Sequence, residues 1–158
     1  MTQDYISYIR SKVGHDYIFL TFAVGILTNE EGKILLQKRG DKGTWGLLGG
    51  CMELGESSVD TLIREFKQES GISIIPKRLL NVYTNFEDSY PNGDIAQTVG
   101  MAYEVEATQP YNITNFSNQE TLELRFFTQE ETKQITIVNA QHQLILDEYF
   151  AQTFQLGN

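Results

Sequence analysis

One segment constrains this chain more than any other: residues 50–72, GCMELGESSVDTLIREFKQESGI. From Ser57 onward it reads as a helix with both ends marked. Ser57 is a candidate N-cap, and Asp60, three residues on, supplies the reciprocal acceptor of a capping box. Val59, Leu62, Ile63 and Phe66 fall at i, i+3, i+4 and i+7, so one face is apolar and requires burial. Gly71 suits the left-handed residue past the helix end, with Ile72 as the hydrophobic contact that follows. The spacing predicts a helix over 57–69, entered through a glycine-bearing turn.

Glu65 and Glu69 are i and i+4, which puts both carboxylates on one face, opposite the apolar stripe. Like charges at that spacing disfavour a helix by roughly 0.2–0.5 kcal/mol. A divalent cation between them would offset the repulsion. Mg²⁺ takes oxygen ligands, often one or two carboxylates, and completes its octahedron with waters and substrate phosphates. Arg64 is placed to orient a neighbouring carboxylate through a bidentate pair. Periodicity alone favours the plainer alternative, a solvated polar face with one repulsive pair.

Around this segment, residues 18–27 and 33–38 read as strands joined by turn chemistry at 29–32, and hence as a hairpin. Residues 39–44 form a polar loop and 45–50, WGLLGG, a short glycine-rich segment. Residues 4–13 place Tyr5, Ile6, Tyr8, Ile9 and Val13 at near-helical spacing, which predicts a short N-terminal helix within 1–14. Strands are expected at 79–86 and 96–105, around a turn holding Pro91, Asn92 and Gly93. A further strand is expected at 122–128 and a closing helix at 140–154. With no repeat, linker or low-complexity tract, the expectation is one α/β domain over 1–158.

Composition narrows the function. The chain is 41% hydrophobic with 9 Phe, 8 Tyr and 1 Trp, too apolar for disorder. A domain of this length buries roughly 68–70% of its unfolded surface and needs no staple. Cys51 is the single cysteine, so neither an internal disulfide nor a cysteine-based zinc site is available. The net charge of −9 argues against nucleic-acid backbone binding. Thr21 and Gly25 interrupt the longest apolar run, within 18–27, which is too short to span a membrane and too far from the start for a signal peptide. The expectation is a cytoplasmic protein.

The same residues carry a resemblance. Gly50, Glu56, Arg64, Glu65, Phe66, Glu69, Gly71 and Ile72 fit the pattern G-x5-E-x7-R-E-U-x-E-E-x-G-U, with U bulky and apolar, that marks the Nudix hydrolases (MutT-like proteins). Gln68 stands where the pattern has the first glutamate of its pair. The strands before the box, the WGLLGG lead-in and the later LELRFF strand also look like the family. Leu48 stands where many relatives have proline, which frees one φ angle and removes no ligand. The resemblance implies a Nudix-type α/β/α sandwich with a mixed β-sheet. It implies divalent-metal-dependent hydrolysis of the pyrophosphate linkage in a nucleoside diphosphate joined to another moiety. Mg²⁺ or Mn²⁺ would be held by Glu65 and Glu69, with the Gly50 carbonyl and the Gln68 amide as further ligands. Glu56 and Arg64 would support the catalytic carboxylates, and Arg39 with Gly50 would meet the substrate phosphate.

Gln68 brings no charge, and a unit charge at ~4 Å is worth about 4 kcal/mol at an effective dielectric of 20. Weakened metal binding is therefore expected. The substitution also suits a second reading, a weak or inactive Nudix domain that senses a nucleotide ligand or serves as an interaction module. Either way the partner is a small nucleotide, and the aromatic N-terminal segment suits a homodimer interface as well as a core. Among the remaining residues, Glu53 reads as an outer ligand or a solvated turn charge, and Glu120 and Glu123 as surface charge rather than a late catalytic carboxylate. Tyr83, Phe86 and Tyr90 read as strand core and rim rather than a base-stacking platform. His15 and His142 read as structural or exposed, and Cys51 as a packing residue.

Overall fold

The structure, a computed structural model, describes residues 4–40 and 43–158; residues 1–3 of the expected N-terminal helix and 41–42 of the expected loop lie outside them. Two sheets form the middle layer. Strand β1 (Ile18–Ile26) lies inside a four-stranded sheet, antiparallel to β4 (Leu48–Cys51) and parallel to β6 (Ile95–Ala107), with β5 (Ile74–Ser89) outermost. Strand β2 (Ile34–Arg39) is central in a three-stranded antiparallel sheet, between β3 (Trp45–Gly46) and β7 (Thr121–Phe127). The mixed sheet is thus the four-stranded one, and WGLLGG bridges the two.

The expected β1–β2 hairpin does not form. Its turn does: Asn29 N donates to Lys33 O at 3.0 Å and Gly32 N to Asn29 O at 3.0 Å, with a bridge between Thr28 and Ile34. The strands then part into different sheets. The reason is two-sided burial. Ile34, Leu35 and Leu36 are all fully buried, so β2 needs a hydrophobic layer on each face.

Helices supply those layers. Ala23 of β1 and Leu35 of β2 face Leu62 and Phe66 of α2 (Ser58–Ser70). Val24, Ile26, Ile34 and Leu36 face Ile145 and Leu146 of α4 (Ala140–Ala151). The period-two alternation along both strands distributes side chains between two cores, one under each helix. Gly25 lies where a Cβ would sit 2.9 Å from Phe66 Cε2. Gly25→Ala should therefore lower stability by about 1–3 kcal/mol through overpacking, read as a shifted urea midpoint at unchanged slope.

The caps of α2 are as its sequence predicts. Ser57 Oγ accepts from Asp60 N at 3.0 Å, Asp60 Oδ2 accepts from Ser57 N at 3.1 Å, and Gly71 takes φ 75°. Its buried face is rotated from the expected one. Ile63 is 37% exposed, whereas Thr61, Glu69 and Ser70 are buried with Leu62 and Phe66. Leu62, Phe66 and Glu69 stand at i, i+4 and i+7, so Glu69 extends the buried stripe instead of opposing it.

Helix α1 (Tyr5–Val13) buries none of its residues and packs on the rim. It is pinned by Tyr5 N to Glu53 Oε2 at 2.7 Å and by Arg10 Nη2 to Ile95 O at 2.8 Å. A four-residue α3 (Gln129–Thr132) precedes α4, which stops at Ala151, short of 154, where Gln152 turns left-handed. No helix among the described residues is long and apolar enough to cross a membrane.

Candidate active site

Where β4 meets α2, backbone and carboxylates are fitted together. Gly49 N donates to Glu69 Oε1 at 2.9 Å. Gly50 has no side chain because Glu65 occupies its place: a Cβ there would lie 2.5 Å from Glu65 Cδ. Arg64 then fixes Glu65. Its Nη1 donates to Glu65 Oε1 at 2.7 Å, while Nε and Nη2 grip Glu56 at 2.7 and 3.0 Å. Glu56 also accepts from Thr61 Oγ1 at 2.8 Å and Glu53 N at 3.1 Å.

A third carboxylate arrives from far along the chain. Glu120, just before β7, offers an oxygen such that those of Glu65, Glu69 and Glu120 all lie within 4.8 Å of one another. Its loop is tied to the end of α2. Asn118 Oδ1 accepts from Glu120 N and Thr121 N, both at 2.9 Å, and Asn118 Nδ2 donates to Gln68 O at 3.0 Å. Thr121 Oγ1 donates to Glu69 O at 2.8 Å. Glu120, expected as surface charge, thus joins the carboxylate cluster. No local signal marks it, because its placement follows from the pairing of β7 with β2 and from Asn118.

These groups border a cleft of about 690 Å³ that also reaches Arg39, Gly50, Gln68, Tyr90 and the first turn of α4. Gln68 itself is exposed on the rim. Glu53, expected as an outer ligand or a solvated turn charge, lines the same cleft and accepts from Tyr5 N of α1 at 2.7 Å. Glu123 pairs with Arg125 on the surface at 2.8 Å. Tyr83 is core, its hydroxyl donating to Glu148 at 2.6 Å. His15 is exposed against Asp94, and His142 is buried. Cys51 packs inside, its thiol pushed up to about 12 by burial and then by Glu53.

The electrostatics separate two kinds of carboxylate. Hydrogen bonds from Arg64, then from Thr61 and Glu53 N, outweigh the effect of burial and hold Glu56 down to about 2. Burial pushes Glu69 well above the usual carboxylate range, and Glu65 beside it adds to that, with Gly49 N–H opposing. Burial also raises Glu65, against Arg64. Glu56 is thus held as an anion by Arg64, whereas burial disfavours the charged forms of Glu69 and, against the pull of Arg64, of Glu65. Hard oxygen donors in that state suit a divalent cation.

The Glu56 pair sets an acid limit on stability. Its folded pKa lies below its unfolded value, so the stabilisation is present above pH 4.5 and lost as pH falls towards 2. Discounted for partial exposure, Glu56→Gln should cost about 2 kcal/mol at pH 7. That deficit should narrow at pH 3, as read by urea denaturation at both values.

Sandwich, capped helix and carboxylate cleft together define a protein class, and comparison with known proteins gives it a name. The family model of the NUDIX domain matches residues 20–149, and the chain belongs to that family. It is 39% identical over 61 residues to a MutT-like protein of Streptomyces ambofaciens, covering 39% of this chain and 40% of that one. It is 36% identical over 86 residues to an ADP-ribose pyrophosphatase of Methanocaldococcus jannaschii, covering 52% and 50%. The matches thus span half or less of these curated relatives. Among solved structures, a NUDIX hydrolase from Nitrosomonas europaea superimposes with a TM-score of 0.69 at 25% identity, covering 87% of this chain and 77% of that one.

Proposed function

We propose that this protein is a divalent-metal-dependent hydrolase of the pyrophosphate linkage in nucleoside diphosphate derivatives. The observation that carries the reading is the convergence of Glu65, Glu69 and Glu120 beside a cleft large enough for a nucleotide. The name of the Methanocaldococcus relative, an ADP-ribose pyrophosphatase, supports the substrate class. An all-oxygen donor set fits Mg²⁺ or Mn²⁺ rather than a softer metal. Glu65, Glu69 and Glu120 would hold it, with Gly50 and Gln68 on the same cleft offering neutral oxygens. Such a cation neutralises charge on the pyrophosphate and activates water.

The chain's own groups do the rest. Arg64, locked to Glu56, holds Glu65 in position. A carboxylate oxygen of the same cluster that is not turned to the cation would accept the proton of the attacking water. Arg39 on the cleft wall brings positive charge towards the phosphates.

The test is hydrolysis of nucleoside triphosphates, ADP-ribose, dinucleoside polyphosphates and nucleotide sugars in Mg²⁺ and Mn²⁺, with Glu65→Gln as control. Turnover abolished by that substitution is expected. Silence of the wild type across the panel, with calorimetric binding retained, would replace this reading with the nucleotide sensor. Gln68→Glu checks the variant position. Because residue 68 is exposed, the restored charge acts through water and should tighten Mg²⁺ only about three- to tenfold in calorimetry.

A further inference from the structure

Strand β7 ends the three-stranded sheet, and one of its edges meets no other strand of the described residues. Which backbone groups lie on that edge follows from β2. Leu35 N donates to Leu27 O at 2.9 Å and Arg39 N to Thr44 O at 2.7 Å, so the odd-numbered residues of β2 turn their amides away from β7. The even-numbered ones face it, and Lys38, Leu36 and Ile34 stand opposite Glu123, Arg125 and Phe127. Leu124 and Phe126, in between, turn their N–H and C=O groups to the free side. Among the described residues, no backbone group from outside the sheet hydrogen-bonds to them. An open edge of this kind is a template for another strand unless a deterrent is built in.

The side chains of this edge invite one particular strand. Residues 122–126 read LELRF, an order that is self-complementary about Leu124. When two copies run antiparallel with Leu124 opposite Leu124, each Glu123 faces Arg125 of the second copy, and each Leu122 faces Phe126. The outward-turned Leu124 residues then exchange both N–H···O bonds, and the charged residues fall at the non-hydrogen-bonded positions, where side chains come closest. A shift of two residues either way would set Arg125 against Arg125 or Glu123 against Glu123, so the charges select this register. Arg125 is already held on the exposed face. It pairs with Glu123 at 2.8 Å, and its guanidinium lies 5.2 Å and 5.4 Å from the ring centroids of Trp45 and Phe127. Leu122 is 51% exposed. Beside it a groove of about 540 Å³ runs between residues 122–125 and 113–117, with Ile113 and Phe116 in its wall, and gives an incoming apolar side chain a place to lodge.

We propose that β7 pairs with β7 of a second copy of this chain, giving an isologous homodimer in which the two three-stranded sheets join edge to edge. The contact is made by β7 and its groove rather than by the aromatic residues of α1. None of residues 122–125 borders the carboxylate cleft, so the cleft of each copy stays open. One short strand makes a small interface, and a dissociation constant of about 10–100 μM is expected.

The experiment is sedimentation equilibrium of the wild type, Glu123→Arg, Arg125→Glu and an equimolar mixture of the two variants. Each variant alone sets like charges opposite each other at both symmetry-related positions and should self-associate about thirtyfold more weakly than the wild type. In the mixture every arginine again meets a glutamate, and heterodimers should form with about the wild-type affinity. That rescue separates pairing across the edge from any local damage to β7, which mixing does not repair. A wild type that stays monomeric up to roughly 1 mM would overturn the proposal and leave the groove to some other strand. Single variants that dimerise as well as the wild type would place the interface elsewhere, and a mixture that stays monomeric would exclude this register. No substrate or metal is needed, so the result is independent of the hydrolytic reading.

Discussion

Glu69→Gln should move activity and stability in opposite directions. Turnover in Mg²⁺ should fall by about a thousandfold, because a buried carboxylate proposed to hold the cation loses its charge. Stability without metal should rise by about 1 kcal/mol, because the wild-type carboxyl is buried beside Glu65 and Glu120 with one backbone hydrogen bond to support its charged form. Glutamine retains an acceptor for Gly49 N–H. The pH dependence follows from the raised carboxyl. Between pH 4.5 and the higher folded value, the folded state binds the proton that the unfolded state has released. Metal-free wild type therefore loses stability as pH rises through that window, while Glu69→Gln stays flatter. Added Mg²⁺ should stabilise the wild type and not the variant. Urea denaturation in a chelator and in Mg²⁺, alongside kcat/KM, reads all of this. A variant that is active, or less stable than the wild type without metal, would remove Glu69 from the site.

What the amino-acid pattern reveals here is what short-range chemistry determines. Ser57, Asp60 and Gly71 specify the ends of α2 through contacts three or four residues long, and the helix forms where they put it. Box spacing likewise brings Glu56, Arg64 and Glu65 together, since all three lie on one turn and one helix. Periodicity has a blind spot in phase. Val59, Leu62, Ile63 and Phe66 fit an apolar stripe, yet the sheet meets the helix a fraction of a turn away, exposing Ile63 and burying Glu69. The hairpin expectation failed for a related reason, since the Asn29–Gly32 turn is the same whether its strands pair or diverge. A signal was present in Ile34–Leu36, a run without alternation, which a strand with one solvated face does not carry. Glu120 and His142 could not be read locally. One reaches the cleft through a strand pairing across the sheet, the other through a helix 95 residues from the amide it accepts.

Two adjacent glycines separate the requirements of the fold from those of the site. A methyl group on Gly49 would collide with backbone, Ala23 O and Val24 Cα of β1, at a φ of 153°. Strand β1 is hydrogen-bonded on both sides, to β4 and β6, and has nowhere to retreat. Gly49→Ala should therefore destabilise by roughly 4 kcal/mol or more, enough to leave little folded protein. At Gly50 the obstruction is the end of the Glu65 side chain, 2.5 Å from Cδ and 2.7 Å from Oε1. That side chain can swing aside, so Gly50→Ala should cost only about 1 kcal/mol of stability. The movement breaks the 2.7 Å bond from Arg64 and takes one oxygen out of the cluster, so turnover should drop about a hundredfold. Thermal melting paired with kcat/KM distinguishes them: one variant lost to unfolding, its neighbour folded and nearly silent. A folded, fully active Gly50→Ala would show that the placement of Glu65 against the strand has no part in the chemistry.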